Sequence, residues 1–141
     1  MRDLLDAGVW LPLSAPDHAL YPRARRYWHH EAAGELVFCR VTALALLRDL
    51  TDPRVLGDAA LDGAAAWRAL ETWLALPQVK LLAEPPGLDE FLALWATQLN
   101  PGTGQWTAAY LAAFAVASDC RLVAFDDGFR RFPGIEFLHL R

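Results

Sequence analysis

The sequence contains only two cysteines, Cys39 and Cys120, among 141 residues. Their number and spacing form neither the framework of a disulfide-rich domain nor a zinc-binding motif. Each cysteine lies beside an apolar, strand-like run, so we expect both to be buried free thiols. The classes of small domain held together by disulfides or structural zinc are therefore excluded.

Long apolar runs and an excess of positive charge are also absent. No uninterrupted apolar stretch approaches the roughly 18 residues that a membrane-spanning helix needs. Asp3 and Asp6 interrupt the region where a signal peptide would be basic and then apolar, so we expect a cytoplasmic protein. The formal net charge is -4, so the overall composition gives no sign of nucleic-acid binding.

The sequence does have a large apolar fraction, with 55% hydrophobic residues. At this length we expect one domain, residues 1–141, with a sizeable core. Apolar runs typical of buried strands, such as "ELVFCRV" at 35–41, alternate with helical patterns such as residues 107–118. The alternation predicts an α/β sandwich in which helices flank a mostly parallel central sheet.

Several boundaries follow from local signals. Gly34 is expected to end a helix over 22–33. Thr42 is expected to N-cap a helix over 43–50, and Asp62 is expected to cap the helix that follows. Pro85-Pro86-Gly87 breaks the chain before another helix at 88–99. The remaining predicted elements are strands at 4–6, 78–84, 121–125 and 135–140, and a short helical turn near 127–131.

Two aspartates stand at the ends of apolar strands: Asp6 in "LLD" and Asp126 in "LVAFD". In a parallel sheet, ligands bind beyond the carboxyl ends of the strands. A carboxylate there needs a hydrogen-bond partner or a cation, and two converging carboxylates favour a divalent metal between them. The alternative is that Asp6 caps the following turn and Asp126 caps the turn at Gly128-Phe129.

Four segments occur in an order and at a spacing that resemble the PIN-domain ribonucleases of the VapC toxin type. They are "LLDAGVWLPL", "FCRVTALALLRDLTDPRVLG", "WTAAYLAAFA" and "RLVAFDDGFRRFPGI". The resemblance covers nearly the whole chain and implies a PIN-like three-layer sandwich. It also implies an endoribonuclease dependent on Mg²⁺ or Mn²⁺, a cognate antitoxin as partner, RNA as substrate and a homodimer.

Carried over residue by residue, the resemblance makes Asp6 the first acid of the metal site and Asp126 the last. Two other acid positions of the family fall at Ala45, where a small residue is unsurprising in the subgroup that this chain resembles, and at Ala108. The resemblance therefore implies a site that is weakened or disabled. Gly8 and Ala43 also replace residues that are commonly polar in the family. Either Ala108 is a single engineered change, or the site is natural and partly eroded.

Three further polar residues could support such a site. Asp49 lies four residues beyond Ala45 on roughly the same helical face. It marks the solvent end of the helix, assists the metal or contacts a partner. Thr42 and Thr107 could order metal-bound water, a role compatible with helix capping.

Basic residues are the candidate RNA contacts: Arg23, Arg25, Arg26 and Arg130. The first three are interleaved with aromatic residues that could stack bases. The alternative is a solvated helix face. Two rival functions remain open: a non-catalytic module that binds an antitoxin or RNA, and a metal-dependent nuclease acting on DNA.

Overall fold

The structure is a computed structural model that describes all 141 residues. The strands are β1 (Arg2–Leu5), β2 (Glu35–Phe38), β3 (Val79–Leu81), β4 (Cys120–Ala124) and β5 (Glu136–His139). The helices are α1 (Ala7–Ser14), α2 (Tyr21–His30), α3 (Arg40–Leu50), α4 (Pro53–Leu56), α5 (Gly63–Leu74), α6 (Leu88–Gln98) and α7 (Trp106–Ala117). Two short 3-10 helices span Gly57–Ala59 and Asp127–Arg131.

The five strands form one sheet in the order β3-β2-β1-β4-β5, and every neighbouring pair is parallel. The predicted, mostly parallel α/β sheet is therefore confirmed. The chain builds outward from β1 through β2 to β3, and then returns to place β4 and β5 on the other side of β1. The strand order thus reverses between β1 and β4, where parallel sheets open a crevice at their carboxyl edge.

Helices cover both faces of this sheet, which makes three layers. Leu4, Val37 and Leu122 face a core formed with α6 and α7. Their neighbours along the strands, including Leu5 and Val123, face a second core formed with α1, α2, α3 and α5. This alternation is the two-residue period of a strand whose faces are both buried, and it explains the continuous apolar runs of the sequence.

The boundary between β2 and α3 differs from the prediction. The strand expected over 35–41 ends at Phe38, and α3 begins at Arg40 with Cys39, not Thr42, at the N-cap position. The Thr42 hydroxyl accepts a hydrogen bond from the Cys39 amide and donates one to the Cys39 carbonyl, both at 3.0 Å. Apolar residues lie on both sides of the exposed Arg40, at 36–39 and at 41, so hydrophobicity alone could not mark the boundary.

The end of α2 was also predicted wrongly. The helix stops at His30, four residues before Gly34, because the amides of Glu31 and Ala32 both donate to the Tyr27 carbonyl. The next amide, that of Ala33, donates to Asp3 in the sheet at 3.0 Å. A tertiary contact therefore draws the chain out of the helix earlier than the sequence indicated.

The predicted cap of α5 is confirmed, since Asp62 accepts a hydrogen bond of 2.8 Å from the Ala65 amide. The short helix α4 was not predicted; it begins at Pro53, after Asp52 accepts from the Arg54 amide at 2.9 Å. No helix in the structure combines the length and apolar character needed to cross a membrane.

Candidate active site

Asp6 lies directly after β1, the central strand of the sheet. Its amide donates to the Val123 carbonyl of β4 at 2.9 Å, so the neighbouring strand fixes its backbone. Asp6 is the N-cap residue of α1, yet its side chain makes no capping hydrogen bond. The alternative prediction, in which Asp6 only caps the following turn, is therefore wrong.

Asp126 follows β4, the strand paired with β1, and is exposed. Its Oδ1 accepts a hydrogen bond of 2.8 Å from the Gly128 amide and caps the 3-10 helix 127–131. The capping role expected for this residue is confirmed. Its Oδ2 makes no hydrogen bond and remains available to a ligand.

The two carboxylates interact across the point where the strand order reverses. Burial raises the pKa of the Asp6 carboxyl, and the negative charges of Asp126 and then Asp49 raise it further. The amides of Ala7 and Gly8 oppose this increase without closing a capping bond of normal geometry. Asp6 is thus a partly buried carboxylate, short of partners and close to like charges, a combination typical of functional sites.

An open cavity of about 630 Å³ lies over Asp6. One wall is the exposed face of α3, which contributes Ala45, Arg48 and Asp49. The opposite lip carries Thr107, at the start of α7. The other lining residues are Ala7, Gly8, Val41 and Leu44. The floor is therefore largely apolar around a single strand-end carboxylate.

The two substituted positions belong to the same edge of the sheet. Ala45 lines the cavity beside Asp6. Helix α7 packs against β4 and joins it by a two-residue turn, so its first turn, with Ala108, lies at the carboxyl edge of the parallel sheet. Carboxylates at these positions would extend the charged group that Asp6 and Asp126 begin.

The threonines have different surroundings. Thr107 is exposed and lines the cavity, where its hydroxyl can reach a ligand or water. Thr42 is only 1% exposed and does not line the cavity. Its hydroxyl is already bonded in both directions to the backbone of Cys39, which holds the first turn of α3.

The donor set decides how well a divalent cation fits. No three or more His, Cys, Asp or Glu side chains converge closely enough to form a metal-binding group. Mg²⁺, however, commonly keeps several waters and binds through one or two carboxylates together with substrate phosphate. Asp6 without a cap bond and the free Oδ2 of Asp126 fit such a hydrated ion, held weakly, and do not fit a closed protein cage.

The candidate RNA contacts divide into paired and free cations. Arg23 forms an ion pair with Glu31 at 2.6 Å and donates to the Arg141 carbonyl, so it is largely committed within the fold. Arg25 and Arg26 are exposed on α2, and Arg25 contacts only His29, at 3.4 Å. Arg130 is half exposed and pairs with Asp127 in its own 3-10 helix.

The sequence did not predict the role of one cavity residue, Arg48, and it named Gly8 only as a departure from the family pattern. Arg48 lines it with a side chain that is 73% exposed, and its only partner is the adjacent Asp49, at 3.4 Å. The sequence signal that could have identified Arg48 is its position three residues after Ala45. Gly8 also matters, since a Cβ there would lie 3.4 Å from Asp6 Oδ2, so the glycine leaves that side of the carboxylate uncovered.

Comparisons with known proteins agree with this architecture. Residues 4–135 match the PIN domain family. Ribonuclease VapC41 of Mycobacterium tuberculosis is 37% identical to the chain over 139 residues, which cover 94% of each protein.

Solved structures give the same fold. VapBC2 from Rickettsia felis, bound to a DNA fragment from its promoter, aligns over 100% of both chains with a TM-score of 0.70 and 12% identity. VapC20 of Mycobacterium tuberculosis, described as a toxin that cleaves the sarcin-ricin loop, has a TM-score of 0.70 and 18% identity and covers 95% of this chain and 97% of its own. From the family match, the sequence identity and the shared fold together, the chain belongs to the PIN-domain family and to its VapC type.

Proposed function

We propose that this chain is a VapC-type toxin, an endoribonuclease dependent on Mg²⁺ or Mn²⁺, whose site is weakened by Ala45 and Ala108. The observation that carries the proposal is the convergence of Asp6 and Asp126 at the carboxyl edge of adjacent central strands. Asp6 lacks a capping bond and feels the charge of its neighbour, so the pair favours a cation over mutual contact.

In this proposal Asp6 and Asp126 would hold one divalent ion, which when bound would orient a water for in-line attack and stabilise charge on the phosphate. Asp6 is fixed through its amide by β4, so its carboxylate has a defined position. Thr107 at the lip of the cavity can hydrogen-bond water or a phosphate oxygen. Arg48 supplies a positive charge beside the RNA backbone.

The two alanines determine how strong the site is. With Ala45 beside Asp6 and Ala108 in the first turn of α7, two carboxylates remain where the family pattern has more. A divalent ion held by two carboxylates and water is bound weakly, so we expect low or absent cleavage by this chain.

We further propose a cognate antitoxin as partner, in line with the solved VapBC structures that share the fold. A homodimer, a cytoplasmic location and the single-domain organisation of residues 1–141 are parts of the same proposal. Of the candidate RNA contacts, Arg25 and Arg26 are free to meet a phosphate backbone. Arg23 and Arg130 would first have to leave acidic partners.

The decisive experiment compares cleavage of a mixed structured RNA pool in Mn²⁺ by this chain and by Ala108→Asp. We expect the variant to cut the RNA and to bind Mn²⁺ more tightly in titration calorimetry. Ala93→Asp, which adds the same charge at an exposed position of α6, is the matched control and should cut nothing. An unchanged Mn²⁺ affinity in Ala108→Asp would contradict the proposed metal site.

The second candidate function is a non-catalytic module that binds an antitoxin or RNA. The largely apolar floor of the cavity and the two alanines favour it. A thermal melt with and without Mn²⁺ separates the two functions, because only a ligand that binds the folded state raises its stability. No shift in either this chain or Ala108→Asp would favour the module.

A further inference from the structure

His139, the last residue of the edge strand β5, lies beside the segment that carries Asp126. Its Nε2 is 2.9 Å from the Phe125 carbonyl, the residue directly before Asp126. We propose that His139 is a positioning residue that fixes Asp126 at the candidate active site. The inference rests on the proposed function, because it gives Asp126 a role that depends on where its carboxylate lies.

The partners of His139 identify the ring nitrogen that donates to Phe125. A carbonyl can only accept a hydrogen bond, so Nε2 must carry a proton and donate to Phe125. A guanidinium can only donate, and Arg130 Nη2 lies 3.3 Å from Nδ1, which therefore accepts. Arg141 Nε also donates towards Nδ1, at 3.4 Å, and Asp127 Oδ1 lies 3.7 Å from the same nitrogen. The bond to Phe125 depends only on the proton of Nε2.

The same ring connects both sides of the Asp126 segment. On the preceding side it holds the Phe125 carbonyl, and on the following side it holds Arg130, which also pairs with Asp127. The imidazole stacks on Phe137 of β5, with ring centroids 5.9 Å apart and planes at 24°. His139 is thus held in place by β5 and ties the residues around Asp126 to that strand.

The side chain of Asp126 has few contacts of its own. Its side chain makes one hydrogen bond, to the Gly128 amide, and it is exposed. A Cβ at position 128 would lie only 3.1 Å from Asp126 Oδ1, so the turn is already tight at that point. The Leu140 amide donates to the Ala124 carbonyl at 2.9 Å and ends the backbone pairing of β4 with β5. The bond from His139 to the Phe125 carbonyl therefore carries the contact with β5 one residue further, to the residue before Asp126. Arg130, a candidate RNA contact, is held by the same histidine through Nδ1.

The test compares His139→Leu, which removes the contacts of both ring nitrogens, with His139→Gln, whose side-chain amide can still donate near the position of Nε2. His30→Gln, at an exposed position on α2, is the matched control. The first readout needs no metal: the NMR signal and hydrogen exchange of the Gly128 amide, which report the Asp126 cap. The second is Mn²⁺ affinity by calorimetry, measured with Ala108→Asp present in every protein.

We expect His139→Leu to shift the Gly128 amide signal, to speed its exchange, and to weaken Mn²⁺ binding roughly tenfold, as is typical when a group that orients a metal ligand is lost. His139→Gln should restore most of the Gly128 amide signal and exchange rate and most of the Mn²⁺ affinity. His30→Gln should change none of these quantities. Thermal melts of each variant show whether it remains folded.

An unchanged Gly128 amide in a folded His139→Leu protein would overturn the proposal. So would a loss in His139→Gln as large as that in His139→Leu, because the donor to Phe125 would then be irrelevant. If Ala108→Asp itself binds no Mn²⁺, the proposed function fails. The Gly128 readout still decides in that event whether His139 places Asp126.

Discussion

Strand β1 carries an aspartate near each end, and the two have opposite surroundings. Asp3 lies in the strand and Asp6 directly follows it, so they are separated by about 10 Å of extended chain. The comparison shows how one residue type on one strand can serve the fold at one end and a ligand at the other.

Asp3 is completely buried and has a full set of partners. Its carboxylate accepts hydrogen bonds from the Tyr27 hydroxyl at 2.5 Å and from the Ala33 amide at 3.0 Å. Arg121 of β4 adds a two-bond ion pair at 2.8 and 2.9 Å. Burial and the nearby Asp3 raise the pKa of the Tyr27 hydroxyl, so it remains a donor. Asp3 has no capacity left for a ligand.

Asp6 is less buried than Asp3, yet it makes no capping hydrogen bond and faces other carboxylates. A carboxylate with every lone pair satisfied stabilises a fold, whereas one left short of donors keeps its affinity for a cation. Burial alone therefore does not separate structural from functional acids in this protein. The number of hydrogen-bond donors around each carboxylate separates them.

The largest effect is expected from Asp3→Ala. It leaves the Arg121 guanidinium and the Tyr27 hydroxyl without their carboxylate in the interior, which should lower the free energy of unfolding by about 3–5 kcal/mol. Urea denaturation followed by circular dichroism measures the loss. Mn²⁺ affinity in an Ala108→Asp background should not change in the protein that remains folded.

A double variant tests whether this loss comes from the buried pair. Asp3→Ala combined with Arg121→Ala should be less destabilised than the sum of the single variants, since the second change removes the stranded charge. Additive losses would show that Asp3 acts through Tyr27 and Ala33 and that the ion pair contributes little.

At the other end of the strand, Asp6→Asn should raise the free energy of unfolding at neutral pH, whereas Asp3→Ala lowers it. Folding raises the pKa of Asp6 above its ordinary value of 3.8, so the folded state holds this proton more tightly than the unfolded state. The stability that Asp6 contributes is present below pH 3.8 and lost as the pH rises through the folded pKa. We expect Asp6→Asn to gain about 1 kcal/mol at neutral pH, the lower range for relieving an unsatisfied buried group.

The measurement is the difference in unfolding free energy between the two proteins as a function of pH. Shifts at Glu31 and Asp52, whose pKa values are lowered by Arg23 and Arg54, occur in both proteins and cancel. The variant should also lose any stabilisation by Mn²⁺. A difference that does not vary with pH would show that Asp6 is not strained by its surroundings.

The two aspartates also show what the sequence can predict. The position of Asp6 followed from an apolar strand that ends in an acid, and the position of Asp126 followed in the same way. Both signals are local, and the parallel sheet brings them together at one edge. The role of Asp3 was not predicted, because its partner Arg121 is 118 residues away and lies in a different strand.

Boundaries between buried elements were harder to predict than the elements themselves. Thr42 was expected at the N-cap of α3, but the cap falls at Cys39, the last residue of the apolar run 36–39. The cavity residues Arg48 and Asp49 lie on a helical face that the sequence could also place in open solvent. Only the packing of α3 against α1, the helix that follows Asp6, decides that Asp49 faces Asp6.

The smallest effect is expected from Asp49→Asn. Asp49 raises the pKa of Asp6 through space, and its contribution ranks below that of Asp126. Carboxyl-carbon NMR should therefore show the pKa of Asp6 falling in Asp49→Asn and falling further in Asp126→Asn. Loss of the exposed contact with Arg48 should change stability by less than about 1 kcal/mol. Asp58→Asn, at an exposed position outside the cavity, controls for the change in net charge. An Asp6 pKa that responds equally to Asp49→Asn and Asp58→Asn would mean that Asp49 acts only through net charge, and the charged part of the site would then be confined to the ends of β1 and β4.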